Sequence, residues 1–200
     1  MSPRAGSKGP ARGRSGEPGG LELVLVRHAE TTASAAGRYL GWGDAPLTPD
    51  GERAAAGLGA TLGAADLVFA SDLARTLHTA RLALPEARPI ADPRLRELHF
   101  GGFEGGSWQE NLARWGDGFR AWLADPRAVA PPGGERLGQL EERVREWMEG
   151  LPREGRVVAF LHGGSLRAAW AVAEGRPTEE LLAVSVAPCA VVVPGRRARP

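Results

Sequence analysis

Cysteine and tyrosine occur once each in the 200 residues, and methionine twice. A single thiol, Cys189, can close no intramolecular disulfide and cannot build a cysteine metal cluster, so the composition fits a reducing compartment, the cytoplasm. No apolar run approaches the roughly 18 residues of a membrane span. Charge of one sign is not in excess either, since 25 basic and 24 acidic residues leave a formal net charge of +1. With 42% hydrophobic and 24% charged residues, a disordered or collagen-like chain is excluded. The length suits one ordinary domain.

The charge is unevenly placed. Arg4, Lys8, Arg12 and Arg14 against Glu17 give residues 1–20 a net +3, and Arg196, Arg197 and Arg199 give the last six another +3. The body between therefore carries −5, which is +1 less +6. A nucleic-acid binder carries its positive charge on the folded face, so neither nucleic acid nor membrane is expected as a partner. Six Gly and three Pro among residues 1–20 predict a solvated, disordered basic leader. It lacks the roughly 7–15-residue apolar stretch of a secretory signal. A folded domain over residues 21–193 and a flexible basic tail over 194–200 complete the expected organisation.

Residues 21–26, Leu-Glu-Leu-Val-Leu-Val, read as a buried strand. After a Gly- and Pro-bearing loop, Thr48-Pro49 starts a helix that the pattern carries to about residue 63. A second strand is expected over 66–70, then a helix capped by Ser71-Asp72 through about 82, and a weaker strand over 88–91. Residues 107–124 and 135–149 read as helices, 156–161 as a buried strand, 165 onward as a helix and 190–193 as a last strand. Strands alternating with helices through short loops predict an α/β domain with helices on both sheet faces.

His28 and His162 stand directly after the two clearest strands. In open α/β sheets ligands bind at the carboxyl ends of the strands, so the two imidazoles are expected to share a site. Arg27 precedes one of them, and Arg75 falls in the first turn of the helix after the second strand. A helix start attracts anions, and guanidinium groups suit phosphate. Gly163 and Gly164 let backbone amides approach a ligand. Together these residues describe an anion pocket, most naturally one for a phosphoryl group.

The segment Leu25-Val26-Arg27-His28-Ala29-Glu30-Thr31 resembles the Arg-His-Gly-Glu-Thr signature of the histidine phosphatase superfamily. Further segments follow in the family's order: 41–48 around Gly41-Trp42-Gly43-Asp44, then Ser71-Asp72-Leu73-Ala74-Arg75-Thr76 with Thr79-Ala80, and Leu95-Arg96-Glu97 with residues 100–105. Pro132-Gly133-Gly134-Glu135 and His162-Gly163-Gly164 complete a set that spans about residues 21–193. The resemblance implies a three-layer α/β/α sandwich around a mostly parallel sheet. It implies that His28 is the nucleophile that becomes phosphorylated and that Glu97 is the general acid and base. Arg27, Arg75 and His162 would hold the phosphoryl oxygens, with Ser34 and Gly163 beside them. Such an acid requires a partly desolvated position; spacing alone would instead pair Glu97 with Arg94 or Arg96. Glu30 is expected to orient the loop. No metal or other cofactor is implied.

Two positions depart from the family pattern. Ala29 replaces a Gly and needs a compatible backbone angle, and Ser34 replaces a phosphate-binding Asn, with a hydroxyl still able to donate one bond. His78 and His99 match no catalytic position and are assigned to a helix face and a loop. Trp108, Trp115 and Trp122 recur every seven residues, with Phe119 between, predicting one aromatic stripe that packs; the resemblance, in which this segment covers the site, implies that part of the stripe lines it. Glu97 and His162 lie only 65 positions apart. The resemblance makes this a short cover, which admits water and favours hydrolysis. The Gly-Gly-Glu segment and the chain's size are most similar to the α-ribazole phosphatase-type and broad-specificity branches. The expectation is a metal-independent phosphatase acting on a small-molecule phosphate ester, as a monomer or homodimer. A phosphoglycerate mutase and a catalytically silent phosphoester-binding member are the alternatives.

Overall fold

The computed structural model describes residues 20–195. The basic leader and nearly all of the basic tail lie outside the described residues. The elements are β1 (Leu21–Arg27), α1 (Thr32–Ala35), α2 (Pro49–Gly57), α3 (Gly59–Leu62), β2 (Leu67–Ala70), α4 (Ala74–Ala83), β3 (Ile90–Ala91), α5 (Trp108–Ala124), α6 (Leu137–Glu149), β4 (Gly155–Leu161), α7 (Gly163–Glu174), α8 (Glu179–Leu182) and β5 (Val191–Val192). The sheet order is β3-β2-β4-β1-β5, parallel except for β5, which runs antiparallel to β1.

Strand residues alternate between faces, and each face has its own core. Leu23 and Leu25 of β1 and Val157, Ala159 and Leu161 of β4 pack with α5, α6 and α7. Val24 and Val26, with Val158 and Phe160, pack on the other side against Leu58, Leu62, Ala80 and Ala83. Both faces are covered, which is why β1 and β4 read as continuous apolar runs rather than alternating ones. This is the expected three-layer sandwich. Among the described residues no helix is long and apolar enough to cross a membrane.

Three helix boundaries differ from the sequence reading. The helix from 49 onward is interrupted at Leu58 and forms two pieces, α2 and α3. Ser71 does not cap α4; its hydroxyl accepts from the Leu73 amide within a turn, and α4 begins at Ala74. The helix expected from 135 begins at Leu137, because Arg136 before it is extended and serves as the N-cap, and Glu135 lies outside the helix in an ion pair with Arg143. Trp115, Phe119 and Trp122 pack into the core as expected, and only Trp108 leaves the aromatic stripe. Gly116 takes φ 48°, ψ −116° inside α5 and rotates the two halves apart. Trp122 is buried, whereas Trp108 is 46% exposed.

The start of α2 lies against the loop after β1, where Thr48 donates its amide to the Glu30 carbonyl. A Cβ on Gly51 would sit 2.3 Å from that same carbonyl oxygen, while one on Gly57 meets nothing within 4 Å. Gly51→Ala should therefore lower stability by about 1–3 kcal/mol through overpacking. Gly57→Ala should raise it by up to about 1 kcal/mol through helix propensity. Urea midpoints of the two variants check the pair, and a shift of the same sign in both contradicts the packing argument.

Candidate active site

β1 and β4 pair in register, Arg27 opposite Leu161, so the residues that follow them emerge side by side. The His28 amide donates to the Leu161 carbonyl at 2.9 Å. The imidazoles of His28 and His162 meet edge to face with ring centroids 5.1 Å apart, and both are buried.

Their tautomers follow from their partners. His28 Nδ1 lies 2.7 Å from the Ala29 carbonyl, which can only accept, so Nδ1 carries the proton and Nε2 keeps a free lone pair. Burial, reinforced by the charge of Arg75 and then that of Arg27, lowers the His28 pKa to about 3 against the pull of the Ala29 hydrogen bond. At neutral pH the ring is uncharged. His162 is the converse: its Nδ1 accepts from Arg75 Nε at 3.2 Å, which leaves the proton on Nε2. Burial first, and then Arg75, hold its pKa well below 6.5. The His162 Nε2 atom is buried with no hydrogen-bond partner in the protein, and so is Arg27 Nε. An unpaired buried donor costs about 1–3 kcal/mol, which an anionic oxygen would offset.

Arg75 is almost completely buried. Its Nη atoms donate to the carbonyls of Gly41 and Gly43 at 2.7 Å each and, more distantly, to Leu40 and Asp44. With the Nε bond to His162, all five guanidinium N–H groups have protein acceptors. Arg75 therefore brings positive charge to the site, fixes the His162 tautomer and staples the 40–44 loop.

Glu97 is 8% exposed. Its carboxylate accepts from its neighbour Leu98 at 2.9 Å and from the Gly164 amide at 2.9 and 3.0 Å. The glycine at 164 makes room for Glu97 itself, because a Cβ there would lie 2.3 Å from Glu97 Oε1. The alternative ion pairs are absent: Arg94 binds Asp92, and Arg96 binds Asp72 while lying over the Trp42 ring. The backbone of the Glu97 segment is held by Arg143, which donates to the carbonyls of Arg94, Arg96 and Glu97 at 2.7, 2.7 and 2.9 Å. Glu135 of the Gly-Gly-Glu segment fixes Arg143 in turn by a bidentate pair at 2.8 Å.

The remaining expected residues are also located. Ala29 avoids the left-handed region, in which Cys189 is the sole non-glycine among the described residues, and its amide donates to Thr79 Oγ1 at 3.0 Å. Its methyl packs against Leu47 and Ala55. Glu30 accepts from the Thr48 hydroxyl, orienting the loop. Ser34 lines the cavity, yet its hydroxyl donates to the Thr31 carbonyl inside a capping box. Gly163 lines the cavity at the start of α7. His78 lies on α4, and His99 meets the Trp42 ring at a tilt of 47° with centroids 4.6 Å apart.

His162 lies buried behind His28, and Arg27, His28, Ser34, Arg75, Glu97, Gly163 and Gly164 line a cavity of about 580 Å³. The sequence reading missed Arg167, which enters its wall from α7 and donates to the carbonyls of Gly163 and Val184. It also missed Arg143 and Trp42, whose indole donates to the Glu97 carbonyl. Only tertiary packing brings these three to the site. Among the described residues no group of three or more His, Cys, Asp or Glu is placed to hold a metal ion.

Two neutral histidines at adjacent strand ends, set among arginines with a carboxylate opposite, define an anion-binding α/β site of the kind used in phosphoryl transfer. The chain belongs to the histidine phosphatase superfamily (branch 1), whose family model matches residues 23–197. It is 36% identical to a 2,3-bisphosphoglycerate-dependent phosphoglycerate mutase of Methylobacterium sp. (strain 4-46), covering 80% of this chain and 83% of that one. It is 34% identical to a metal-independent phosphoserine phosphatase of Arabidopsis thaliana, covering 74% and 66%. The α-ribazole phosphatase of Shigella flexneri superposes with a TM-score of 0.79 at 29% identity, covering 85% and 88%.

The lowered His28 pKa has a consequence for stability. Between about 3 and 6.5 the unfolded chain binds a proton at His28 that the folded chain does not, so stability rises with pH across that window. Melting temperature should increase from pH 4 to 6.5, and His28→Asn should make the slope shallower. An unchanged slope would show that His28 is not held neutral.

Proposed function

We propose that the protein is a metal-independent phosphomonoesterase that works through a phosphohistidine on His28. The observation that carries this reading is the tautomer of His28. With Nδ1 donating to the Ala29 carbonyl, the Nε2 lone pair is free on an uncharged ring at neutral pH. Nε2 attacks phosphorus and the bond to the alcohol oxygen breaks, with Glu97 delivering a proton to that oxygen. Water then attacks the phosphohistidine and returns a proton to Glu97, releasing phosphate and neutral His28. Arg27, Arg75 and the Nε2–H of His162 offset the charge on the transferring group. Ser34 and the Gly163 segment border the phosphoryl position.

The likeness to the Shigella flexneri α-ribazole phosphatase and the Gly-Gly-Glu segment support α-ribazole phosphate as a candidate substrate. The lone thiol, half-buried at Cys189, supports a cytoplasmic setting. Identity with phosphoglycerate mutases favours mutase activity as the second reading. Added 2,3-bisphosphoglycerate separates the two, activating a mutase and leaving a phosphatase unchanged.

Phosphate release from a panel of phosphomonoesters in EDTA tests the proposal. Turnover should persist in EDTA and fall by at least about a hundredfold in His28→Ala, a loss of ~3 kcal/mol. Retention of more than a few per cent of turnover would exclude the phosphohistidine. Glu97→Gln should slow alkyl phosphates far more than activated aryl phosphates, because only the poor leaving group needs the proton. Equal losses would remove Glu97 from the acid role.

A further inference from the structure

The peptide unit between Glu97 and Leu98 is engaged at both ends. Its carbonyl accepts from the Trp42 indole Nε1 and from Arg143 Nη2, at 2.9 Å each. Its N–H, the Leu98 amide, donates to Glu97 Oε1 at 2.9 Å. A peptide is planar, so a donor that fixes the carbonyl also fixes the direction of the N–H. The Gly164 amide reaches Oε1 at 2.9 Å and Oε2 at 3.0 Å. Oε1 thus accepts from two amides, while Oε2 shares only the second and is the oxygen left to carry a proton. Oε2 also lies towards the arginines: a Cβ on Gly163 would sit 3.6 Å from it, 3.2 Å from Arg167 Nη1 and 3.9 Å from Arg27 Cζ.

The two donors to the carbonyl differ in reach. Arg143 also gathers the carbonyls of Arg94 and Arg96 and so holds the whole segment. Trp42 spends its one indole N–H on Glu97, and it belongs to the loop that Arg75 staples. Arg75 holds the carbonyls of Gly41 and Gly43 on either side of it, and Glu104 accepts from the amides of Gly41 and Trp42 at 2.9 Å each. The Arg96 guanidinium lies over the ring, 4.8 Å from its centroid, and is itself paired with Asp72. Trp42 is nevertheless 40% exposed, belongs to none of the apolar cores and does not line the cavity. Neither burial nor contact with a substrate accounts for a tryptophan here, whereas its hydrogen bond does.

We propose that Trp42 is a positioning residue for proton transfer: its indole N–H sets the Glu97–Leu98 peptide so that the Leu98 amide occupies Oε1 and Oε2 is presented to the leaving oxygen. The loop that carries Trp42 is tied to Arg75, so the proton donor keeps its place relative to Arg75 and, through it, to His162. A general acid must come within about 2.6–3.2 Å of its target, and a misplacement of about 1 Å can cost about a hundredfold. The inference rests on the reading of Glu97 as general acid given above.

The test is Trp42→Phe, which removes the N–H and keeps a ring beneath Arg96. It compares kcat/KM for ethyl phosphate and 2,4-dinitrophenyl phosphate in the wild type, Trp42→Phe, Glu97→Gln and the double variant. This constant is blind to hydrolysis of the phosphohistidine, and the ratio of the two esters on one preparation is independent of the fraction folded. The loss in Trp42→Phe should be about tenfold greater on ethyl phosphate than on the aryl ester, which needs no proton on its leaving group. In the Glu97→Gln background the same substitution should change the ethyl ester by less than about twofold, because the group it positions is gone. Equal losses on both esters would overturn the inference, as would full additivity with Glu97→Gln, since either outcome leaves Trp42 a structural role alone. A selective loss in Glu97→Gln without one in Trp42→Phe rejects the positioning role and spares the acid. No selective loss in Glu97→Gln, or no turnover of either ester by the wild type, rejects the underlying reading and the inference with it.

Discussion

The site depends on one constraint, the in-register parallel pairing of β1 with β4. Because Arg27 faces Leu161, the chain leaves both strands at the same height, and His28 and His162 meet without any further device. A slip of one residue would exchange the side chains of β1 between the two cores and move His28 away from its partner. The two apolar cores on opposite faces of the sheet hold that register. The chemistry is therefore set by residues such as Leu25 and Val158, which never approach a substrate.

Around this pair, guanidinium groups act as staples. Arg75 gathers the carbonyls of residues 40–44 and fixes the tautomer of His162, while Arg143 gathers three carbonyls of the segment that carries Glu97. Loops cannot satisfy their carbonyls by regular pairing, and a rigid five-donor fork does so while remaining charged. The partners of the two arginines differ. Arg143 is neutralised by a bidentate Glu135, so it acts as scaffold. Arg75 has only Asp44, 3.3 Å away and partly exposed, and much of its charge is left to act on the two imidazoles.

Much of this was legible in the sequence where the signal is local. Apolar runs closed by Arg27-His28 and by His162-Gly163 mark buried strands ending in functional groups, and both lie where the pattern puts them. The aromatic spacing in α5 was legible as packing at Trp115, Phe119 and Trp122 and misled only at Trp108, because a seven-residue repeat assumes a continuous helix and Gly116 breaks it. Gly164 was legible as a point of close approach, but the group that approaches is Glu97, contributed from 67 positions away. Arg143 carries no local signal at all. Within α6 it reads as one more charged position, and only the fold turns it toward the carbonyls behind Glu97.

Arg27, Arg75 and Arg167 face the cavity, and Glu97 is the one carboxylate among its lining residues, so the site holds a surplus of positive charge. Burial first, and then the charge of Arg75 with that of Arg27, lowers the affinity of both imidazoles for protons, so both rings are uncharged at neutral pH. A bound phosphoryl dianion would reverse the field at His162 and strengthen its Nε2–H as a donor at the moment one is needed. The same cations thus serve the free and the occupied site. An electrostatic frame set in advance is the cheapest way to meet a charge that appears only when the ligand does. It also explains why Arg27 and Arg167 are tied to backbone carbonyls rather than to carboxylates, which would cancel the field they supply.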